Sequence, residues 1–190
     1  MKSLNSELEK WAVENVQNVE QWAVQKTKQD TKNAIISNIK WLGFLILIPI
    51  GIVMILINIG NSDASTVFTY GFTAVLVLFV GFFLLTGLAF AIPSMLKRLI
   101  VRYHEITKGN CHVVIARCAE ICPSEEKGWL DVVFLGLDGE IVDTIRMSIP
   151  ESRVNSEIGK LNCLVYVDKK CRKSYDLLDA QRDLYKVSIG

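Results

Sequence analysis

The sequence predicts a membrane α plus small β protein. It would consist of a long N-terminal amphipathic helix, a two-helix transmembrane hairpin and a C-terminal five-stranded antiparallel barrel or sandwich. Three observations predict this. Lys and Arg number 21 and Asp and Glu 20, yet residues 41–96 contain one of them, Asp63. An eleven-residue repeat runs through the first 40 residues. Alternating apolar positions with Gly and Asp-Gly punctuation fill residues 109–190. The composition, 51% hydrophobic and 22% charged, is therefore an average over unlike segments. Charge segregation of this kind excludes a soluble single-domain enzyme, a disordered tail protein and a secreted disulfide scaffold.

The N-terminal segment, residues 1–40, carries the repeat. Leu8-Glu9-Lys10-Trp11-Ala12-Val13 recurs as Val19-Glu20-Gln21-Trp22-Ala23-Val24, and more weakly as Asp30-Thr31-Lys32-Asn33-Ala34-Ile35. Eleven residues make about three α-helical turns, so equivalent positions share a face. Leu4, Leu8, Trp11, Ala12, Val16, Val19, Trp22 and Ala23 form an apolar stripe. Two kinds of partner would cover it: a membrane surface, or protein in the form of its own C-terminal domain or further copies of the chain. Surface helices that bind acidic lipid are cationic, whereas Glu7, Glu9, Glu14 and Glu20 outnumber Lys10 here. Protein packing is the expectation, with Leu8, Trp11, Val19 and Trp22 as the interaction face.

Residues 41–96 read as the hairpin. Residues 41–60 form an uncharged run about 30 Å long as a helix, which matches a bilayer's hydrocarbon core. Residues 67–92 form a second run, and the polar turn Asn61 to Thr66 joins them. Lys26, Lys28, Lys32 and Lys40 precede the first run, and Lys97, Arg98, Arg102 and Lys108 follow the second. By the positive-inside rule both termini are cytoplasmic in a two-pass inner (plasma) membrane protein. The first 40 residues lack an apolar signal core, so no cleaved signal peptide is expected. Gly43, Gly51 and Asn58, with Leu47 and Met54, share one face of the first span, and Ala74 and Gly81 share one face of the second. Small residues allow close helix approach. These seams would hold the hairpin together or join neighbouring protomers. Neither span contains Asp, Glu, Lys, Arg or His, which argues against active transport.

Residues 97–108 continue the second run as a helical linker, and Gly109-Asn110 ends it. Strands are expected at residues 111–121, 129–137, 141–149 and 161–168, with Asp138-Gly139 as a hairpin signal. Residues 184–189 would be a fifth strand, preceded by a helical turn near residues 175–180. The strand Val113-Val114-Ile115-Ala116, then Val132-Val133-Phe134 with Asp138-Gly139, then Gly159 before Leu164-Val165-Tyr166-Val167-Asp168 resembles the NfeD type of bacterial membrane protein. Similar small bacterial hairpin proteins share the pattern. The resemblance covers residues 111–168 and implies an OB-like barrel carried by a transmembrane hairpin. It transfers no catalytic residue.

No phosphate loop, GxSxG, HExxH or dinucleotide fingerprint occurs. His104 and His112 have no carboxylate–nucleophile arrangement nearby, so no catalytic residue and no cofactor are expected. Cys118 and Cys122 have a spacing open to zinc ligation or, on one strand face, to core packing. Packing is the expectation, with no metal. All five cysteines follow the second run and are expected as free cytosolic thiols. Lys169, Lys170, Arg172 and Lys173 form a basic cluster that reads as a solvated loop tip, or as a patch for acidic lipid or an acidic partner. From Lys97 onward 15 basic residues face 14 acidic ones, which disfavours nucleic acid. The chain is therefore expected to be a non-enzymatic, oligomeric integral membrane protein. Its β domain would bind a cytosolic protein partner, in a scaffold, membrane-stress sensor, exclusion or immunity role. The alternative is an oligomeric membrane effector or channel subunit gated by that domain.

Overall fold

The computed structural model describes residues 2–60 and 91–189. The chain divides into two compact units. One joins residues 1–29 to residues 104–190, and the other comprises residues 30–103.

Helix α1 spans Lys2–Glu14 and α2 spans Val16–Gly60. Asn15 separates them by a single non-helical position. Its side-chain Nδ2 donates to the Trp11 carbonyl at 2.9 Å, and its backbone N–H also donates there at 3.0 Å. Asparagine competes for backbone partners in this way, which loosens a helix locally without ending the hydrogen-bonded run. A further helix, α3, covers residues 91–107. It closes on Gly109 at φ +81, with the Asn110 N–H donating back to the Glu105 carbonyl at 3.0 Å.

Among the described residues, no helix is long and apolar enough to cross a membrane. The expectations of a transmembrane hairpin and a two-pass inner-membrane location are corrected accordingly. The apolar run at residues 41–60 is no separate span. It is the last part of α2, which begins at Val16 and carries Glu20, Lys26, Lys28, Asp30, Lys32 and Lys40 before that run. The second run lies outside the described residues except at its last two positions. An antiparallel pair of apolar helices is therefore not shown, and the orientation inferred from flanking cations loses its basis.

The β unit contains β1 (Cys111–Pro123), β2 (Leu130–Gly136), β3 (Ile141–Met147), α4 (Glu151–Glu157), β4 (Leu161–Val167), β5 (Lys170–Asp176) and α5 (Leu177–Ile189). The strands form one antiparallel sheet in the order β3-β2-β1-β4-β5. β1 is long enough to serve two partners. Cys111 to Arg117 pair with β4, while Ala116 to Pro123 pair with β2, so only Ala116 and Arg117 are flanked on both sides. A register shift between Cys118 and Glu120 lies just beyond that overlap. Bulges increase local twist and bend the strand. The Tyr166 hydroxyl on β4 donates to Asp143 Oδ2 on β3 at 3.0 Å. In a flat sheet those strands would lie three spacings, about 14 Å, apart. The hydrogen bond therefore demands a strongly curled sheet.

The sheet is a half-barrel rather than a closed barrel, because β3 and β5 do not pair with each other. The expected fifth strand is also corrected. Residues 184–189 belong to α5, and the strand is the basic segment Lys170–Asp176. Asp168 and Lys169 adopt φ +55 and +59, a two-residue turn whose left-handed backbone suits the twist of a hairpin. Neither residue is a glycine, so the turn lacked the Asn-Gly type of signal that marked the β2–β3 hairpin, where Gly139 has φ +87.

β4 is buried at all seven positions because both its faces are covered. Its odd-numbered side chains Leu161, Cys163 and Val165 join Leu8, Ala12, Val19, Ala23, Leu177 and Ala180 in one core. On the other face Leu164 and Tyr166 join Ala116, Cys118, Val132 and Phe134. The first core lies between the sheet and the helices. The second lines the concave interior of the half-barrel.

Candidate functional site

The N-terminal face meets the sheet of its own chain. Leu8 and Val19 are buried in the first core, with relative exposures of 4% and 0%, and Trp11 and Trp22 pack against that core. The Trp22 ring meets Tyr175 of β5 edge-on, with centroids 5.7 Å apart and planes at 73°. Thr27, fully buried, donates to the Ala23 carbonyl at 2.8 Å and shares a hydrogen bond with the Tyr175 hydroxyl at 3.2 Å. Arg117 of β1 forms an ion pair with Glu9, and Lys26 lies 3.9 Å from Asp183 of α5. Helix and sheet are thus joined by an apolar stripe flanked by polar contacts on either side.

The small-residue seam finds no packing partner among the described residues. Gly43 and Gly51 are exposed on α2, and a methyl group added at either would meet no described atom beyond its own stretch of helix within 4 Å. Asn58 lies on α2, but its side chain is outside the described residues, as are Ala74 and Gly81. The basic cluster is a turn and an edge strand rather than a loop tip. Lys169 sits in the turn, and Lys170, Arg172 and Lys173 are exposed on β5. The skipped position between Lys173 and Cys171 in the pairing with β4 makes Arg172 a bulge. Charge and a bulge on an edge strand both discourage pairing with a further strand.

The surroundings of Cys118, Cys122 and Cys163 favour the protonated thiol. Burial, with the nearby Glu157 carboxylate, pushes Cys118 up to about 11, and burial pushes Cys163 up to about 12. Cys122 is raised first by its hydrogen bond with Glu120. A nucleophile or metal ligand needs the thiolate, which these surroundings disfavour. Among the described residues no group of three or more His, Cys, Asp and Glu is placed to hold a metal ion. His112 stacks on Tyr166, with centroids 4.9 Å apart and planes at 11°.

The concave face carries what the sequence did not reveal, a cavity of about 310 Å³. Its floor is Cys118, Val132, Phe134, Met147 and Ile149, and its rim is Arg153, Glu157, Lys160, Asn162, Ser174 and Asp176. The fold assembles this rim from α4, the α4–β4 turn, β4 and β5. Gly159, at φ +85, turns the chain out of α4, and its N–H donates to the Cys118 carbonyl at 2.7 Å. The Cys118 N–H in turn donates to the Lys160 carbonyl at 2.9 Å. Those two bonds hold Lys160 beside the floor. Its ammonium donates to Glu157 Oε1 at 2.8 Å and lies 3.8 Å from Asp176 Oδ2. These carboxylates, the Glu157 hydrogen bond foremost, hold the ammonium above its ordinary pKa, so it stays charged. Asn162, 8% exposed, accepts from Ser174 Oγ at 3.3 Å and donates to the Lys160 carbonyl at 3.2 Å.

No sequence pattern marks this cluster, because its members are spread over α4, the α4–β4 turn, β4 and β5. Only the strand register brings Asn162 opposite Asp176. No family model, curated protein or solved structure matches the chain, so the NfeD-type resemblance rests on the strand pattern alone.

Proposed function

We propose that the chain is a non-enzymatic binding protein whose β unit holds a protein partner on its concave face. The observation that carries this reading is the asymmetry of the sheet. One face is covered by the chain's own α1, α2 and α5, while the other is curled around a 310 Å³ cavity with an apolar floor and a polar rim. A volume of that size is at the small end of ligand sites and suits one anchoring side chain. The mixture of floor and rim suits a segment that buries one apolar group and keeps its backbone wet.

The N-terminal repeat supports the same reading. Its stripe is used within the chain, so it is not what holds a partner. The reading is tested by affinity capture with the full chain and a Ser148→Trp variant. Ser148 is exposed and lines the cavity, so the indole would fill the space without disturbing either core. A partner recovered stoichiometrically by the wild type and lost by the variant, at unchanged melting temperature, is the expected result. Equal recovery by both would refute use of the cavity, and a mass equal to two chains would identify the partner as a second copy.

A further inference from the structure

The hydrogen-bonding groups around the cavity are unequally engaged. Both rim carboxylates, Glu157 and Asp176, already face the Lys160 ammonium. Arg153, exposed on α4 at the rim, has no side-chain partner among the described residues. A guanidinium presents five N–H donors and no acceptor. The Asn162 amide has two N–H donors, and among the described residues one is engaged, on the Lys160 carbonyl. The rim therefore has donors to spare, while each of its carboxylates already faces a cation. Beneath it the floor is uncharged, because the Cys118 thiol stays protonated and the remaining members are hydrocarbon, thioether or aromatic.

A cation entering here would compete with Lys160 for its two carboxylates. A neutral apolar group would cover Arg153 without giving it an acceptor, and covering a charge without a partner is costly. An inorganic anion would satisfy the donors but leave the floor unfilled. The arrangement suits a ligand that has an aliphatic body and a carboxylate a few bonds away. We infer that the cavity takes the C-terminal residue of the partner protein, an aliphatic side chain on the floor with its terminal carboxylate against Arg153. This rests on the partner-binding reading above and specifies its chemistry. A guanidinium meets a carboxylate through two parallel N–H bonds, which makes the contact both strong and oriented. Capture of a C-terminal carboxylate also lets an otherwise small interface select one end of a chain.

The test is calorimetric titration of the full chain with three probes: an acetylated tripeptide ending in leucine, the same peptide with a C-terminal amide, and octanoate. The free-acid peptide is expected to bind about 10- to 100-fold more tightly than its amide, as loss of a charged hydrogen-bonded pair implies. Arg153→Gln should erase that difference, and Arg153→Lys should restore part of it. Equal binding of acid and amide, or an acid preference that survives Arg153→Gln, overturns the inference and leaves the partner reading to the Ser148→Trp capture. Octanoate binding that depends on Arg153, with neither peptide bound, assigns the site to free carboxylic acids and overturns the partner reading. If no probe binds the wild type, the inference fails outright.

Discussion

Tyr166 does two jobs that are visible only when its neighbours are considered together. Its ring is buried on the concave face and stacked on His112, and its hydroxyl reaches across the curled sheet to Asp143. Replacing it with phenylalanine removes the donor and leaves a partly buried carboxylate short of a partner. Tyr166→Phe should therefore lower stability by about 1–3 kcal/mol, read as a shift of the urea midpoint at unchanged slope. A fall in slope as well would show that the curl itself had relaxed, because the slope follows the surface exposed on unfolding. Burial, reinforced by the Asp143 hydrogen bond, also raises the titration of this phenol. Together with Cys118 and Cys163, that gives the fold an alkaline limit. A thiol or phenol whose folded value lies above its unfolded value binds more protons when folded, so stability falls as pH rises through that window. Stability should be level below the ordinary thiol value of 9.0, and for Cys118 decline from there to about 11. Cys163→Ala should make the decline shallower in urea titrations run at stepped pH. A midpoint that did not move between neutral pH and the upper end of that window would count against these buried thiols.

At the scale of elements, the edge strands differ. β5 exposes Lys170, Arg172 and Lys173, while β3 exposes Ile141 at its end and holds Arg146 in ion pairs with Asp131 and Glu126. The charges on β5 make an open half-barrel tolerable in solution, since an uncharged edge is a template for intermolecular pairing. Substituting Lys170, Arg172 and Lys173 together by threonine should leave the protein's circular dichroism intact and raise its aggregation rate, seen as light scattering that grows with concentration. Unchanged scattering would mean the curl alone protects that edge. These same residues show what the sequence did and did not disclose. Strands β1 to β4 were legible because apolar residues repeat or alternate, and the β2–β3 hairpin because Asp138-Gly139 has a distinct backbone preference. β5 was obscured because its role as an edge selects charge, the opposite of the apolar signal by which strands are sought. The cavity rim was not legible at all, since Arg153, Lys160, Asn162 and Asp176 become neighbours only through pairing and the α4 turn.

At the scale of the whole molecule, the β unit is built from both ends of the chain. The eleven-residue repeat reads as an apolar stripe, of which Leu8, Ala12, Val19 and Ala23 are buried and Val16 is exposed, but what the stripe covers depended on the sheet, whose β4 is buried on both faces. The charge-poor middle of the sequence suggested a membrane hairpin, yet the described helix containing its first run is a 45-residue α2 that is polar over its first half. With the first turns of that helix serving the β core, the N-terminal segment is a structural part of the β unit. Val19→Asp would place an unpaired carboxylate in a fully buried position and should unfold the β unit along with the helix contact. A single cooperative transition is expected, and a β-sheet signal that survives in the variant would show that the sheet stands without the helix.

The most direct test of this arrangement is a double-mutant cycle between Trp22 and Tyr175, measured by urea unfolding of the full chain with Trp22→Ala, Tyr175→Ala and the pair. Their edge-on contact across the helix–sheet junction predicts a coupling of about 0.5–1.5 kcal/mol. Strict additivity, with Trp22→Ala leaving stability unchanged, would contradict the docking of the N-terminal helix on the sheet.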